Sequence, residues 1–160
     1  MSSKADVEQL CNSSIGNELT VTEGRVLSNV MGARVLKEGE LLSSEGGVAS
    51  TLYILIDGKL DVISDNEGEQ EVVYTMSRGE CAGTRAFVDR SPRKATLRAN
   101  GDATIYTLEP DAFESLLDEH PQIIYKVMRA LFRNTHTNLM RMNQESQQLA
   151  NYISKSGGRY

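Results

Sequence analysis

The chain has 160 residues, of which 39% are hydrophobic, and a formal net charge of −5. This length suffices for one domain with its own core plus one additional element, and it is too short for two full domains. The apolar run at residues 52–56 has only five residues, which argues against a membrane-spanning helix, and the negative charge argues against a broad nucleic-acid-binding face.

The first 17 residues lack the basic segment and apolar core that mark a secretory signal. The two cysteines, Cys11 and Cys81, belong to no CxxC pair, so we expect two free thiols. Both observations favour a cytoplasmic protein.

Residues 1–17 are rich in serine, asparagine and charge, which predicts a flexible tail with at most one helical turn around residues 7–11. The domain proper is expected at residues 18–154. Thr20 and Glu23 have the spacing of a capping box, and a short helix through Leu27 and Val30 should follow and end near Gly32.

From residue 33 to residue 108 the apolar pattern changes to short runs separated by turn residues. Regular short strands with Gly or Asp-Gly between them are typical of an antiparallel sandwich or barrel. We therefore predict an antiparallel jelly-roll β-barrel here, so that the fold is α+β and mainly β. The apolar runs are residues 35–36, 41–42, 52–56, 60–63, 72–74, 95–97 and 105–108.

Helical periodicity returns at residues 111–154. Asp111 can cap a helix that contains Phe113 and Leu116, and Pro121 suits the first turn of a long helix without internal Gly or Pro before Gly157. The Ser- and Gly-rich residues 155–160 are expected to form a second flexible tail.

A seven-residue repeat runs along the long helix. Its members alternate at spacings of three and four residues, which is the pattern of one coiled-coil seam. Two interpretations stay open, a homodimer formed through this helix and a helix that lies on its own sheet. The repeat consists of Phe132, Thr135, Leu139, Met142, Ser146, Leu149 and Ile153.

The segment 79–96 contains a candidate anion-binding site. Gly83 would let the backbone approach a ligand, Thr84, Arg85 and Ala86 would present amide groups at the start of a helical turn, and Arg93 could supply a fork of donors. On local chemistry alone, an ordinary surface loop is the better explanation of these residues, because short motifs of this kind often arise by chance.

This segment resembles the phosphate-binding cassette of the cyclic nucleotide-binding domain family, and the likeness extends over about residues 20–154. The resemblance implies that Arg93 and the amides of residues 84–86 bind a phosphate of cyclic AMP, cyclic GMP or a related ligand, with Lys94 beside them. It also implies that the long helix covers the base. The positions that match are Gly79, Ala82, Gly83, Ala86, Phe87, Pro92, Arg93, Ala95 and Thr96.

Three cassette positions depart from the family. Arg85 stands where Leu or Met is usual, and Lys94 stands where a small residue is common. The third departure is the most serious. Where the family has a glutamate that accepts a hydrogen bond from the ribose, this chain has Thr84. Losing a charge-assisted hydrogen bond of about 1.5–3 kcal/mol would weaken binding by roughly one to two orders of magnitude. Thr84 could contact a sugar hydroxyl or merely cap the helix.

Other residues also allow two interpretations. Either Arg93 or Arg85 could pair with Asp89 at the surface instead of binding a ligand. On the long helix, Thr135 and Asn138 belong to a polar interruption that could contact a purine edge or simply face solvent.

No catalytic or metal-binding constellation is visible. A metal-dependent cupin needs several histidines converging from strands, whereas His120 and His136 lie outside the predicted strands. We therefore expect a non-catalytic sensor that signals through its C-terminal helix, without cofactor, metal, nucleic acid or membrane. The alternative is a degenerate domain that serves only dimerisation or protein interaction.

The regulators that this chain resembles continue past their long helix into a DNA-reading helix-turn-helix, whereas this sequence ends at residue 160. The expected partner is therefore an effector protein of unknown identity, or another part of a longer chain. The resemblance places Phe87 at the hinge position of the family. A bound phosphate is expected to draw the cassette inward, so that Phe87 repacks and the long helix changes its angle or pairing.

Overall fold

The computed structural model describes residues 5–157, and side chains up to residue 153. Residues 1–4 and 158–160, which belong to the two predicted tails, lie outside the described part. Five helices and six strands follow in the order α1 Val7–Cys11, α2 Val21–Ser28, β1 Gly32–Leu36, β2 Leu41–Ser43, β3 Leu52–Asn66, β4 Glu69–Met76, β5 Cys81–Ala82, α3 Thr84–Asp89, β6 Thr96–Leu108, α4 Pro110–Glu114 and α5 Pro121–Gly157.

Two long antiparallel strands, β3 and β6, form the centre of the β structure. The first half of β3 pairs with the end of β6 and with β5, and its second half pairs with the start of β6 and with β4. β1 pairs with the end of β6, and β2 pairs with its start. This arrangement confirms the predicted mainly β fold of jelly-roll type.

The sheet bends where the halves of β3 meet, and the pairing register shifts on both sides of Asp57. Gly58 has φ 85°, and a Cβ there would lie 2.3 Å from the Asp102 carbonyl oxygen, so only glycine fits this crossing. The strand order β1-β6-β3-β4 is an open path. The predicted barrel is therefore an open sandwich rather than a closed cylinder.

Two clusters of buried side chains share the alternating faces of β3. Tyr53 and Leu55 pack between the two halves of the sandwich, with residues such as Leu97. Leu52, Ile54 and Ile56 face the helices, where Phe113, Ile123 and Val127 cover them. Both faces of residues 52–56 are thus buried, which explains why this segment is apolar without alternation.

Residues 5–17 do not form the flexible tail that composition predicts. Leu10 is fully buried and Ile15 nearly so, and the Asp6 backbone N–H donates to the Tyr106 hydroxyl at 2.8 Å. The helical turn expected at residues 7–11 is present as α1. A few apolar residues in a polar segment produce no readable periodicity, but here they pack into the same buried cluster as residues of β3, β6 and α5.

Ion pairs join the N-terminal segment to α5. Lys126 lies 2.7 Å from Glu23, which also completes the predicted capping box with Thr20, and Arg133 pairs with Glu18. The hydrogen bond from Lys126 lowers the pKa of the Glu23 carboxyl below its usual value. The start of the chain and the first half of α5 are therefore packed together as one layer.

One face of the first half of α5 is buried, and the second half is exposed. Ile123, Val127, Ala130 and Leu131 pack on the core, whereas every residue from Thr135 to residue 153 is exposed. Within residues 5–157, none of the helices combines the length and apolar character that crossing a bilayer requires.

α4 begins one residue before its predicted cap. Glu109 is the N-cap residue and Pro110 occupies the first turn, while the Asp111 carboxylate pairs with Arg90 at 2.9 Å. Asp111 therefore joins α4 to the end of α3 instead of capping its own helix.

We predict that Leu10→Ala lowers the free energy of unfolding by about 2–4 kcal/mol, because it leaves a cavity in the core. Urea denaturation followed by circular dichroism measures the change. Val48→Ala is the control, since Val48 is 85% exposed and should change stability by about 0.5 kcal/mol or less. Equal effects of the two substitutions would contradict the packed N-terminal segment.

Candidate anion-binding site

The turn before α3 places glycine where other residues do not fit. Gly83 is the N-cap of α3, with φ 89° in the left-handed region, and no side chain caps this end of the helix. A Cβ at this position would lie 2.5 Å from Arg93 Nη1 and 2.9 Å from the Thr51 carbonyl oxygen. The backbone turn and the Arg93 side chain therefore occupy one shared space.

Arg93 is buried, with 6% of its surface exposed. Its Nη2 donates to the Thr51 carbonyl oxygen at 2.7 Å, and its guanidinium carbon lies 5.0 Å from the centroid of the Tyr53 ring. Nε and Nη1 are buried without an acceptor in the protein. The alternative of a surface arginine paired with Asp89 is therefore wrong.

The backbone of Arg93 is held as firmly as its side chain. Its N–H donates to the Gly47 carbonyl at 2.9 Å, and its own carbonyl accepts from the Gly46 N–H at 2.9 Å. The backbone from which the guanidinium extends is therefore fixed against the loop between β2 and β3. Such preorganisation lowers the entropy lost when a ligand binds.

A cavity of about 200 Å³ lies beside this guanidinium. Gly83, Thr84, Arg85, Ala86, Arg93 and Lys94, the six residues predicted to bind a ligand, all line it. The remaining lining residues are Ser43, Val62, Ala82, Pro92, Ala95 and Leu97. Segments that are far apart in the sequence thus meet around one cavity.

Ser43 is a lining residue that the sequence analysis missed. It lies on β2, and its hydroxyl oxygen is buried without a hydrogen-bond partner in the protein. A serine about fifty residues from Arg93 carries no sequence signal of this proximity. Only the pairing of β2 with β6, which sets Ser43 opposite Leu97, brings it to the cavity.

A larger cleft of about 650 Å³ lies between α3 and α5 and shares Ala82, Gly83, Thr84 and Arg85 with the cavity. Its α5 wall is mostly apolar, and the two polar residues predicted to contact a base, Thr135 and Asn138, also line it. The other lining residues are Cys81, Val88, Asp89, Met128, Leu131, Phe132, Leu139 and Met142.

Thr84 and Arg85 are the first two residues of α3. Thr84 is the first residue of α3 and not its cap, and its Oγ1 lies 3.9 Å from Cys81 Sγ. Arg85 is exposed, and the ion pairs found among the described residues do not include one between Arg85 and Asp89. Both residues are therefore available to a ligand.

α5 contacts the strands β4 and β5 through two side chains. The Asn134 amide donates to Cys81 Sγ at 3.6 Å, and the guanidinium carbon of Arg141 lies 4.5 Å from the centroid of the Tyr74 ring. The Tyr74 hydroxyl donates to the Glu80 carboxylate at 2.7 Å, and this hydrogen bond raises the pKa of Tyr74. Burial likewise raises the pKa of the Cys81 thiol, which keeps it protonated and poorly nucleophilic.

A short chain of hydrogen bonds leads from Arg93 to the C-terminal helices. Thr51 accepts from Arg93 through its carbonyl, and its hydroxyl donates to the Glu109 carboxylate at 2.6 Å. Glu109 directly precedes α4. In addition, the Phe87 ring of α3 lies 5.4 Å from the Phe113 ring of α4, measured between centroids.

Within residues 5–157, no group of three or more His, Cys, Asp or Glu side chains is placed to hold a metal ion. The site described above is instead built from guanidinium, amide and hydroxyl donors. Such donors bind oxyanions.

The profile of a family described as cyclic nucleotide-binding domain matches residues 33–120, which is more than half of the chain. The chain belongs to the cyclic nucleotide-binding domain family. The match includes the cavity-lining segment from Ser43 to Leu97, so the cavity lies within the part of the fold that defines this family.

Relatives of this cyclic nucleotide-binding domain include a cAMP-dependent protein kinase regulatory subunit of Mycosarcoma maydis, which is 33% identical over 104 residues. That alignment covers 62% of this chain but only 20% of the relative. Among solved structures, a cyclic nucleotide-binding domain from Methylobacillus flagellatus superposes with a TM-score of 0.81 at 20% identity, covering 87% of this chain and 81% of that one.

A third similar protein is the regulatory domain of Toxoplasma gondii protein kinase A, which was crystallised with cAMP. Its TM-score is 0.62 at 25% identity, and the alignment covers 68% of this chain and 42% of that one. The cyclic nucleotide-binding domain described here thus corresponds to a part of longer kinase-associated proteins.

We predict that Gly83→Ala destabilises the protein by about 1–3 kcal/mol more than Gly39→Ala. Both glycines have positive φ, but nothing lies within 4 Å of a Cβ at Gly39, so the difference isolates the clash with Arg93 and Thr51. Urea denaturation of both variants measures it. Equal losses would show that Arg93 is not packed against Gly83.

Proposed function

We propose that this domain is a non-catalytic regulatory sensor that binds a cyclic nucleotide, cAMP or cGMP, or a related phosphate-bearing ligand, and signals through α5. The observation that carries this proposal is the buried Arg93 guanidinium, with two N–H groups unsatisfied beside a cavity. A charge removed from water without a partner costs several kcal/mol, and a phosphate would supply the missing acceptors.

The phosphate would be held from two directions. Arg93 Nε and Nη1 can donate to its oxygens, and the amides of Thr84, Arg85 and Ala86 have no acceptor inside α3 because they belong to its first turn. Lys94 adds a cation at the rim of the cavity. These donors recognise an anion without a metal.

The rest of the ligand would occupy the adjoining cleft. Its volume of about 650 Å³ and its apolar α5 wall suit a nucleoside, and Thr135 and Asn138 offer hydrogen bonds to a base edge. The kinase relative is named as cAMP-dependent, and the Toxoplasma domain was crystallised with cAMP, which supports a purine ligand. Thr84 would contact the sugar in place of the family glutamate.

Occupancy would reach the helices through the contacts described above. A phosphate bound to Arg93 would contact the same guanidinium that donates to the Thr51 carbonyl. The Thr51 hydroxyl in turn donates to the carboxylate of Glu109, which directly precedes α4. Movement of α3 would in turn shift Phe87 against Phe113. The ligand must prefer one arrangement of these helices for a signal to result.

The signal would be read by an effector protein or by a second copy of the chain. The exposed half of α5 presents Leu139, Met142, Leu149 and Ile153 with coiled-coil spacing, so we propose a homodimer through this stripe.

The two cysteines are free thiols, in keeping with a proposed place in the reducing cytoplasm.

We predict that Arg93→Ala weakens binding of cAMP or cGMP by roughly tenfold to a hundredfold, because charge-assisted hydrogen bonds contribute about 1.5–3 kcal/mol. Isothermal titration calorimetry of both nucleotides measures the loss. Arg34→Ala is the matched control, since Arg34 is exposed on β1 and does not line the cavity.

If the unaltered chain binds neither nucleotide, the alternative gains support, and the domain serves as a dimerisation or protein-interaction module. Thr84, which replaces a charged ribose acceptor, is the feature that favours this alternative. Binding that Arg93→Ala leaves unchanged would place the ligand elsewhere.

We predict that Leu149→Glu converts a dimer into a monomer, because it introduces a charge into an apolar seam. Leu149 is 60% exposed in the single chain, so the substitution should leave the fold intact. Sedimentation velocity measures the change of mass. Gln147→Glu adds the same charge outside the stripe and should leave the dimer unchanged, whereas a monomeric unaltered chain would contradict the proposal.

A further inference from the structure

Among the described residues, the larger cleft is lined by one charged side chain of each sign, Arg85 and Asp89. They are four residues apart on α3, so they lie on the same face of that helix. Both are exposed, and the ion pairs found in the described part of the chain include neither of them. A ligand in the cleft would therefore meet a guanidinium and a carboxylate side by side.

The two residues lie at different distances from the proposed phosphate position. The phosphate would sit at the first turn of α3, toward which the amides of residues 84–86 point. At about 1.5 Å per residue, Asp89 lies about 7.5 Å further along the helix axis than Thr84, whereas Arg85 directly follows Thr84. Arg85 would therefore meet the edge of the base nearer the sugar, and Asp89 the edge farther from it.

Guanine matches both side chains. Its O6 and N7 atoms are neighbouring acceptors, which an arginine contacts with two N–H groups. Its N1–H and its N2 amino group are neighbouring donors, and a carboxylate can accept from both with its two oxygens. Arg85 and Asp89 would thus each make two hydrogen bonds to a guanine base.

Adenine matches the two side chains less well. Its single amino group, on N6, lies between two acceptors, N1 and N7. A carboxylate that accepts from this amino group also faces the lone pair of a ring nitrogen, and a guanidinium that donates to N7 also faces the N–H groups on N6. Adenine can therefore offer Arg85 and Asp89 one hydrogen bond each, and the unmatched groups weaken binding.

We therefore infer that the cleft selects guanine over adenine, and that Asp89 and Arg85 determine this specificity. This inference rests on the proposed function, because it specifies which of the two cyclic nucleotides the site prefers, namely cGMP. Thr135 and Asn138 do not decide between the bases, since a hydroxyl and an amide each offer both a donor and an acceptor.

The test compares cyclic nucleotides that differ only in the base, by isothermal titration calorimetry with the full chain. We expect cGMP to bind about tenfold more tightly than cAMP, since a matched bidentate contact discriminates between bases by roughly this factor. Cyclic IMP lacks the N2 amino group but keeps N1–H, O6 and N7, so it should bind with intermediate affinity. 7-Deaza-cGMP lacks N7, so it should bind more weakly than cGMP.

Matched variants assign the two residues. Asp89→Asn should weaken cGMP binding by about tenfold without weakening cAMP binding, because an amide with one donor and one acceptor suits adenine instead. Asp118→Asn, at an exposed carboxylate that lines neither the cleft nor the cavity, should change neither affinity. Arg85→Gln should weaken cGMP binding more than cAMP binding, whereas Arg34→Gln should weaken neither.

The outcomes separate this inference from the proposed function. Equal affinities, or tighter binding of cAMP, would overturn the selection of guanine and leave the proposed function in place. Heat from none of the nucleotides, in a chain whose circular dichroism shows it folded, would overturn both. A preference for cGMP that Asp89→Asn and Arg85→Gln leave unaltered would overturn the assignment of these two residues.

Discussion

The Arg93 guanidinium joins the parts of this structure that are otherwise separate. Its Nη2 is hydrogen-bonded to the Thr51 carbonyl at the start of β3, its plane lies near the Tyr53 ring, and its Nη1 fills the space that a side chain at Gly83 would take. Thr51 in turn is hydrogen-bonded to Glu109, which precedes α4. A buried cation with this many structural contacts and two unsatisfied donors is stable only because the surrounding backbone is fixed, and an anion would remove its remaining cost.

The two halves of the long helix α5 have different surroundings. Its first half is part of the core and is tied to the N-terminal segment by ion pairs from Lys126 and Arg133. Its second half is exposed. Four members of the seven-residue repeat, from the middle of the helix, also line the cleft: Phe132, Thr135, Leu139 and Met142. Because the same stripe faces both the cleft and a prospective partner, occupancy of the cleft and pairing of the helix would not be independent.

Periodicity predicted the strands and helices well where each had a regular pattern. The capping box at Thr20, the strand at residues 52–56 and the helix after Pro121 depend on neighbours within a few residues, and all are present. The prediction was wrong at residues 5–17, where Leu10 and Ile15 are buried by contacts with distant elements. It also missed that the sheet is open, because closure depends on which strands meet at the edges and not on the pattern within each strand.

The sequence by itself determined the family and the cassette, since Gly83 and Arg93 lie within a short segment whose residue types and spacing are specific. It also determined the apolar runs at residues 52–56 and 105–108, which lie in β3 and β6. Only the tertiary structure decided that Arg93 is buried and unpaired, that Asp89 is not its partner, and that Ser43 joins the cavity. The physical reason is that burial and hydrogen-bond partnership are properties of the space around a side chain, and strands distant in sequence enclose that space.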